Sequence, residues 1–194
     1  MKQNVAFFKA YIALGYHNKK ALNENELTQI YVEQAQIFIR KKELPFNISS
    51  QYQDIYNKSK GFSDLYFYPN ELGNSNSSLF SVECKRLPSP VTSREKEYVF
   101  GPTNNGGIER YKTEKHGKGF KTCGLIGFIE KETPKHWLKS INAWIKDISN
   151  TNSNWQKDEI LTEVESIKDY SFLKSVAHRK SDDIKLIHLW INLN

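Results

Sequence analysis

Cysteine is scarce in this chain: two in 194 residues, Cys84 and Cys123. Their number and spacing exclude a disulfide framework and a cysteine-based metal cage. A reducing compartment, the cytoplasm, is the expectation that follows. Long apolar runs are missing as well. No stretch approaches the ~20 residues that span a bilayer, so no membrane partner is expected. The apolar N-terminal stretch is interrupted by Lys9 and shows no small-residue cleavage site, and it reads as an amphipathic helix rather than a signal peptide. Arginine is rare, 5 against 23 lysines. Lysine suits diffuse attraction to phosphate, and the few arginines suit places where guanidinium geometry matters. No internal repeat is visible. No recognition helix or base-reading motif is identifiable either, so sequence specificity cannot be read from the chain.

What is present describes a globular protein, with 38% hydrophobic and 13% aromatic residues. The length suits one domain, residues 1–194, with a core of its own. A net charge of +6 and a pI near 9.1 suit an acidic partner such as nucleic acid.

Hydrophobic periodicity outlines the elements. Residues 4–14 place Val5, Phe8, Tyr11 and Ile12 at helical spacing. A second helix runs over about 23–41 with Asn23 as its N-cap. On a wheel of about 100° per residue, Glu24 projects close to the apolar centre formed by Leu27, Tyr31 and Phe38, whereas Glu26 and Glu33 project away. "SQYQDIYNK" is ambiguous between strand and short helix. "GFSDLYFYP" and "LFSVECKRL" read as two strands of a hairpin around the turn-forming "NELGNSNSS". A long Pro- and Gly-punctuated connection follows, of the kind that is often functional. Then come a short basic helix in "IERYKTEKHGKG", a buried strand in "CGLIGFIE", and an amphipathic helix in "TPKHWLKSINAWIKDIS". Thr133 caps that last helix, and its tryptophan stripe is core or a partner interface. "WQKDEILTEVESIK" is expected to be helical. "YSFLKSVAHRK" and "IKLIHLWINL" form a closing hairpin. The whole is mixed α/β with a central sheet flanked by helices.

One triplet raises a chemical question. Glu83 and Lys85 stand two apart in a strand, so they project from one face. Glu-x-Lys alone carries no weight, since 15 Glu and 23 Lys in 194 residues give about 1.8 such triplets by chance. The setting adds the weight: an apolar strand follows a strand that carries Asp64. Two carboxylates on neighbouring strands, with the Cys84 carbonyl between Glu83 and Lys85, make an oxygen-ligand set for Mg²⁺, which Mn²⁺ can replace. Such an ion activates water, and an adjacent lysine holds it or offsets developing charge. The bland readings are a surface ion pair for Glu83 and Lys85 and helix-terminal charge complementarity for Glu24.

The order of acidic helix, Asp64 on one strand, Glu83-x-Lys85 on the next, then a helix and a further strand resembles the PD-(D/E)xK nuclease superfamily. Where that family often has proline before the aspartate, this chain has Ser63. The resemblance covers roughly residues 20–130, and 134–194 read as a helix and hairpin extension. It implies a restriction-endonuclease-like fold and a metal-dependent endonuclease hydrolysing DNA, of the kind that serves restriction and antiviral defence. It implies metal ligands at Asp64, Glu83 and the Cys84 carbonyl, with Glu24 contributing to the same site and Lys85 positioning the nucleophile. "GGIERYKTEKHGKGF" resembles the segment after the active site in that family. Arg110 or Tyr111 would there face the site or the substrate backbone, and the basic stretch of His116 and Lys118 would touch phosphates. His178 and Arg179 in the closing hairpin are further phosphate contacts on this reading. The alternative for His178 and His188 is an acid/base or metal pair or, more commonly, structural histidines. RNA remains open as a substrate, and a homodimer or a protein partner is in keeping with so short a chain. Two other functions stand beside the nuclease: a nucleic-acid-binding module without cleavage, and a structural subunit of a larger assembly.

Overall fold

Apolar runs buried on both faces build the middle of a seven-stranded sheet. The computed structural model describes residues 4–14, 22–53, 61–73 and 77–194. Helices α1 (Val5–Ala13) and α2 (Glu24–Lys41) precede strands β1 (Phe46–Gln53), β2 (Phe62–Pro69) and β3 (Phe80–Leu87). A 3-10 segment, Thr92–Tyr98, and the short helix α3 (Gly107–Lys112) lead into β4 (Thr122–Ile129). After α4 (Pro134–Thr151) and a 3-10 turn at Lys157–Glu159 come β5 (Thr162–Ser166), β6 (Tyr170–His178) and β7 (Asp183–Asn192). The strand order is β1-β2-β3-β4-β7-β6-β5. β3, β4 and β7 run parallel, and the flanking pairs are antiparallel. The architecture is α/β, a mixed sheet between helices. Among the described residues no helix is long and apolar enough to cross a membrane.

Strand alternation sends side chains into two cores. Val82, Cys84, Ile126, Phe128, Leu189 and Ile191 pack with Phe8, Leu27 and Tyr31 beneath α1 and α2. Leu87, Leu125, Leu186 and Trp190 pack with Ile108, Trp137, Ile141 and Ile145 beneath α3 and α4. The tryptophan stripe of α4 is therefore core. Both helix starts follow their sequence signals. Asn23 and Glu26 form a reciprocal capping box. Thr133 Oγ1 accepts from the His136 amide at 3.2 Å, with Pro134 at the first helical position.

"SQYQDIYNK", open between strand and short helix in sequence, is strand over "SQYQ", which belongs to β1, and its residues 54–58 lie outside the described residues. One stretch differs from the sequence reading. The expected helix over residues 155–168 is instead a 3-10 turn followed by β5, an edge strand paired with β6. β-branched Thr162 and Val164 alternate with glutamates there, which favours an exposed strand over a helix once β6 offers its hydrogen bonds.

A polar chain crosses the second core. The Trp190 indole N–H donates to Tyr98 Oη at 2.8 Å. Tyr98 lies 2.9 Å from His188 Nδ1, and His188 Nε2 lies 2.9 Å from Ser175 Oγ. With its oxygen accepting from Trp190, Tyr98 donates its own proton to Nδ1, so Nε2 carries the imidazole hydrogen. Burial pushes the His188 pKa down to about 3. The imidazole is neutral above pH 6.5 both folded and unfolded. As pH falls from 6.5 toward 3, the unfolded chain takes up a proton that the fold excludes, and stability is lost. Urea unfolding of wild type and His188→Gln between pH 7 and 4 checks this. The wild type is expected to lose up to ~1.4 kcal/mol more per pH unit than the variant.

Candidate functional site

The site forms where β2 leaves β3. The two strands pair only from Phe67/Phe80 to Leu65/Val82, while β4 follows the other edge of β3 to Leu87. Beyond Val82 the β2-facing amides of β3 need other acceptors. Two carboxylates supply them. Asp64 Oδ2 accepts from the Cys84 amide at 2.7 Å, and Glu24 Oε2 accepts from the Arg86 amide at 3.1 Å. Opposite Asp64, Gln51 adopts a left-handed φ of 52° and regular pairing with β2 is skipped. Strand irregularities of this kind are common beside functional sites.

Glu24 reaches the fork because α2 begins there. Glu26 is spent in the capping box, so the two glutamates divide as the helical wheel expects. Lys85 Nζ bridges three oxygens: Cys84 O at 2.7 Å, Glu83 Oε1 at 2.9 Å and Glu24 Oε1 at 3.1 Å.

Glu83 is fully buried and stands at the centre. Arg110 of α3 donates to the same Oε1 that Lys85 holds. His116 Nδ1 lies 2.9 Å from Oε2. Burial alone would raise the pKa of Glu83, but Lys85, His116 and Arg110 outweigh it and hold the group down at about 2. Burial alone would lower that of Lys85, yet Glu83, Glu24 and Asp64 raise it above the ordinary lysine range. The ammonium is thus charged at every relevant pH. Asp64 behaves oppositely. Burial and the negative charge of Glu83 push it up to about 7, and Lys85 offsets this only in part.

Helix α3 closes the site from above. Gly107 lets it sit close: a Cβ there would fall 2.9 Å from Tyr98 O and Leu125 Cδ2. Tyr111, expected near the substrate, points the other way. It is fully buried, and its hydroxyl donates to the Gly124 carbonyl at 2.9 Å, anchoring α3 to the sheet. His116, expected in a solvated loop, is 1% exposed. It packs edge-on against Tyr111 and so tightly over Gly61 that a Cβ there would meet its Nε2 at 2.2 Å. The Gly61 amide donates to Lys115 O at 3.0 Å, which ties this loop to the start of the Asp64 strand. Nothing in the local sequence signals this burial.

The remaining expected contacts lie apart from the fork. Lys118 is exposed. His178 sits between Asp183 (2.8 Å) and Asp158 (3.3 Å), and its bond to Asp183 raises its pKa. Arg179 spends its guanidinium on Asp182 and on the carbonyls of Gly117 and Phe120, stapling two turns together. His188 pairs in register with Leu173, five positions along β6 from His178, so the two histidines form no pair. The Cys84 thiol faces the α2 side of the sheet, and burial raises its pKa well above the ordinary value. Only the Cys84 carbonyl belongs to the site.

The donor chemistry suits a hard divalent cation. Among the described residues no three His, Cys, Asp or Glu side chains close into a cage. Mg²⁺, however, is typically held by one or two carboxylates together with waters and substrate oxygens. Asp64 and Glu83 with the Cys84 carbonyl meet that requirement, and the raised pKa of Asp64 marks negative charge that the protein leaves undercompensated. A cleft of about 540 Å³ reaches Asp64 between Asn25, Thr28 and Gln29 of α2 and Ser50 and Gln51 of β1.

No family model, curated protein or solved structure matches the chain.

Asp64 ionises near 3.8 when unfolded and near 7 in the fold, so the fold holds an extra proton between those values and stability falls as pH rises through them. Asp64→Asn removes that loss. The variant is expected to be more stable than wild type at pH 8, with the difference closing by pH 4. Mg²⁺ is expected to raise the wild-type melting temperature at pH 8 and leave that of the variant unchanged. Thermal melts across pH with and without Mg²⁺ read both effects.

Proposed function

We propose that the chain is a metal-dependent endonuclease hydrolysing DNA phosphodiester bonds on a restriction-endonuclease-like fold. The observation that carries this reading is the meeting of Glu24, Asp64, Glu83 and Lys85 at the β2–β3 fork, from three elements far apart in sequence. The run α2, β2, β3, α3, β4 also follows the order that the resemblance implies.

Asp64, Glu83 and the Cys84 carbonyl would hold Mg²⁺ or Mn²⁺, with Glu24 completing the acidic set. When bound, such an ion supplies Lewis acidity and a water of lowered pKa. Lys85, permanently protonated, does not act as a base. It orients the attacking water and offsets negative charge developing on the phosphoryl oxygens. Glu24 aims Lys85 by holding its ammonium while anchored to the Arg86 amide. Arg110 brings a second cation to Glu83 and lies nearest the substrate side of α3, 21% exposed. Cutting both strands of a duplex would take a second copy or a partner chain. A place in restriction or antiviral defence rests on the resemblance alone.

A nucleic-acid-binding module without cleavage is the second reading. One observation favours it: Lys85 and Arg110 already pair with Glu83 without a metal.

Cleavage of supercoiled plasmid with Mg²⁺, Mn²⁺ or EDTA separates the two. The nuclease reading expects metal-dependent nicking that Glu83→Gln abolishes and Lys85→Ala reduces at least ~100-fold, with DNA binding by Lys85→Ala nearly intact. Full activity in Lys85→Ala sinks the assignment, and salt-sensitive binding without any cutting favours the second reading.

A further inference from the structure

Glu83 has little room for a further partner. A carboxylate oxygen accepts along two lone-pair directions. Those of Oε1 are both taken, one by Lys85 at 2.9 Å and one by Arg110. Oε2 is sealed from solvent, with His116 Nδ1 2.9 Å away. A cation that takes Glu83 as a ligand must therefore displace a donor from Oε1.

The two donors are held differently. Lys85 is tied to three oxygens from two elements, and its side chain is 5% exposed. Arg110 is held at Glu83 alone among the described residues, and its side chain is 21% exposed. Other arginines of the fold are anchored at several points. Arg86 grips Glu130 through Nε and Nη2, and Arg179 places Nε, Nη1 and Nη2 on Asp182, Gly117 and Phe120. The Nε of Arg110 is instead buried with no acceptor among the described residues. An unmatched buried donor costs free energy, so the arginine loses less by leaving. Its departure need not move α3. The Tyr111 hydroxyl donates to the Gly124 carbonyl at 2.9 Å, and the Arg110 carbonyl accepts from the His116 amide at 3.1 Å. A rotation of the side chain suffices. Guanidinium geometry matches a phosphate as well as a carboxylate.

We propose that Arg110 is an internal counter-ion that holds the place of a divalent cation at Glu83. On cation binding Arg110 gives up Oε1 and turns its guanidinium to a phosphate oxygen of the substrate. Cation and phosphodiester bind cooperatively, because whichever arrives first takes Arg110 out of the way of the other. The identity of the cation site rests on the nuclease reading.

Mn²⁺ is the probe, followed through the EPR signal of the free ion, with protein that carries no nucleic acid. Arg110→Met keeps an apolar stem and removes the charge. It is expected to bind Mn²⁺ at least ~10-fold more tightly than wild type. Combining it with Asp64→Asn is expected to abolish that gain, which places the ion at the fork. An arginine that only braces the fold predicts weaker or unchanged binding instead. Arg110→Gln carries the same expectation, should Arg110→Met fail to melt like wild type. The transfer to phosphate is read by fluorescence anisotropy of a phosphorothioate DNA duplex, whose linkages resist hydrolysis, in EDTA and in Mn²⁺. Coupling is reciprocal, so Mn²⁺ is expected to tighten duplex binding by a larger factor in wild type than in Arg110→Met. Equal or weaker Mn²⁺ affinity in a folded variant overturns the counter-ion, and equal factors for the duplex overturn the transfer. Failure of the nuclease reading alone appears as plasmid left uncut in Mg²⁺ while the Mn²⁺ gain at the fork persists. Mn²⁺ bound by no form of the protein overturns both.

Discussion

A carboxylate sealed from water is costly unless it is matched by charged or polar partners, and Glu83 meets this demand from three directions. Lys85 comes from its own strand, Arg110 from α3 and His116 from the loop behind it. Each partner fixes a piece of the fold. Arg110 requires α3 to lie close over β3, which Gly107 permits. His116 holds its loop down, and that loop grips Gly61 at the entrance to β2. The strand carrying Asp64 is thus positioned through the same buried charge that defines the site.

The fork has a second economy. Asp64 and Glu24 serve as acceptors for the Cys84 and Arg86 amides where β2 stops doing so. The groups that satisfy an open strand edge are the groups a cation would recruit. Structure and chemistry compete for the same oxygens, and the competition is sharpest at Asp64, whose raised pKa records a charge held at some expense.

Much of this was legible in the sequence. The capping box at Asn23, the Thr133-Pro134 helix start and the hairpin bearing Asp64 and Glu83 are local signals, and periodicity alone selected Glu24 over Glu26. What escaped was set by tertiary contact. His116 lies among lysines and glycines and looks solvated, yet a partner 33 positions earlier draws it inside. Tyr111 and Arg110 are neighbours in sequence, but the step of about 100° between successive helical positions sends them to different surroundings. Arg179 looks like a phosphate contact until the turn at 117–120 consumes its donors. The 155–168 segment fails as a helix because an edge of the sheet was open to it, which no local pattern records.

That edge has a further effect. β5 presents glutamates at 163 and 165 along an exposed strand, and its pairing with β6 slips between them. A row of unmet amides and carbonyls ordinarily templates the addition of a foreign strand. Here an incoming backbone meets two negative charges and a break in register. The sheet is thereby terminated on that side, and chains crowded together at high concentration have no β-route to one another through β5.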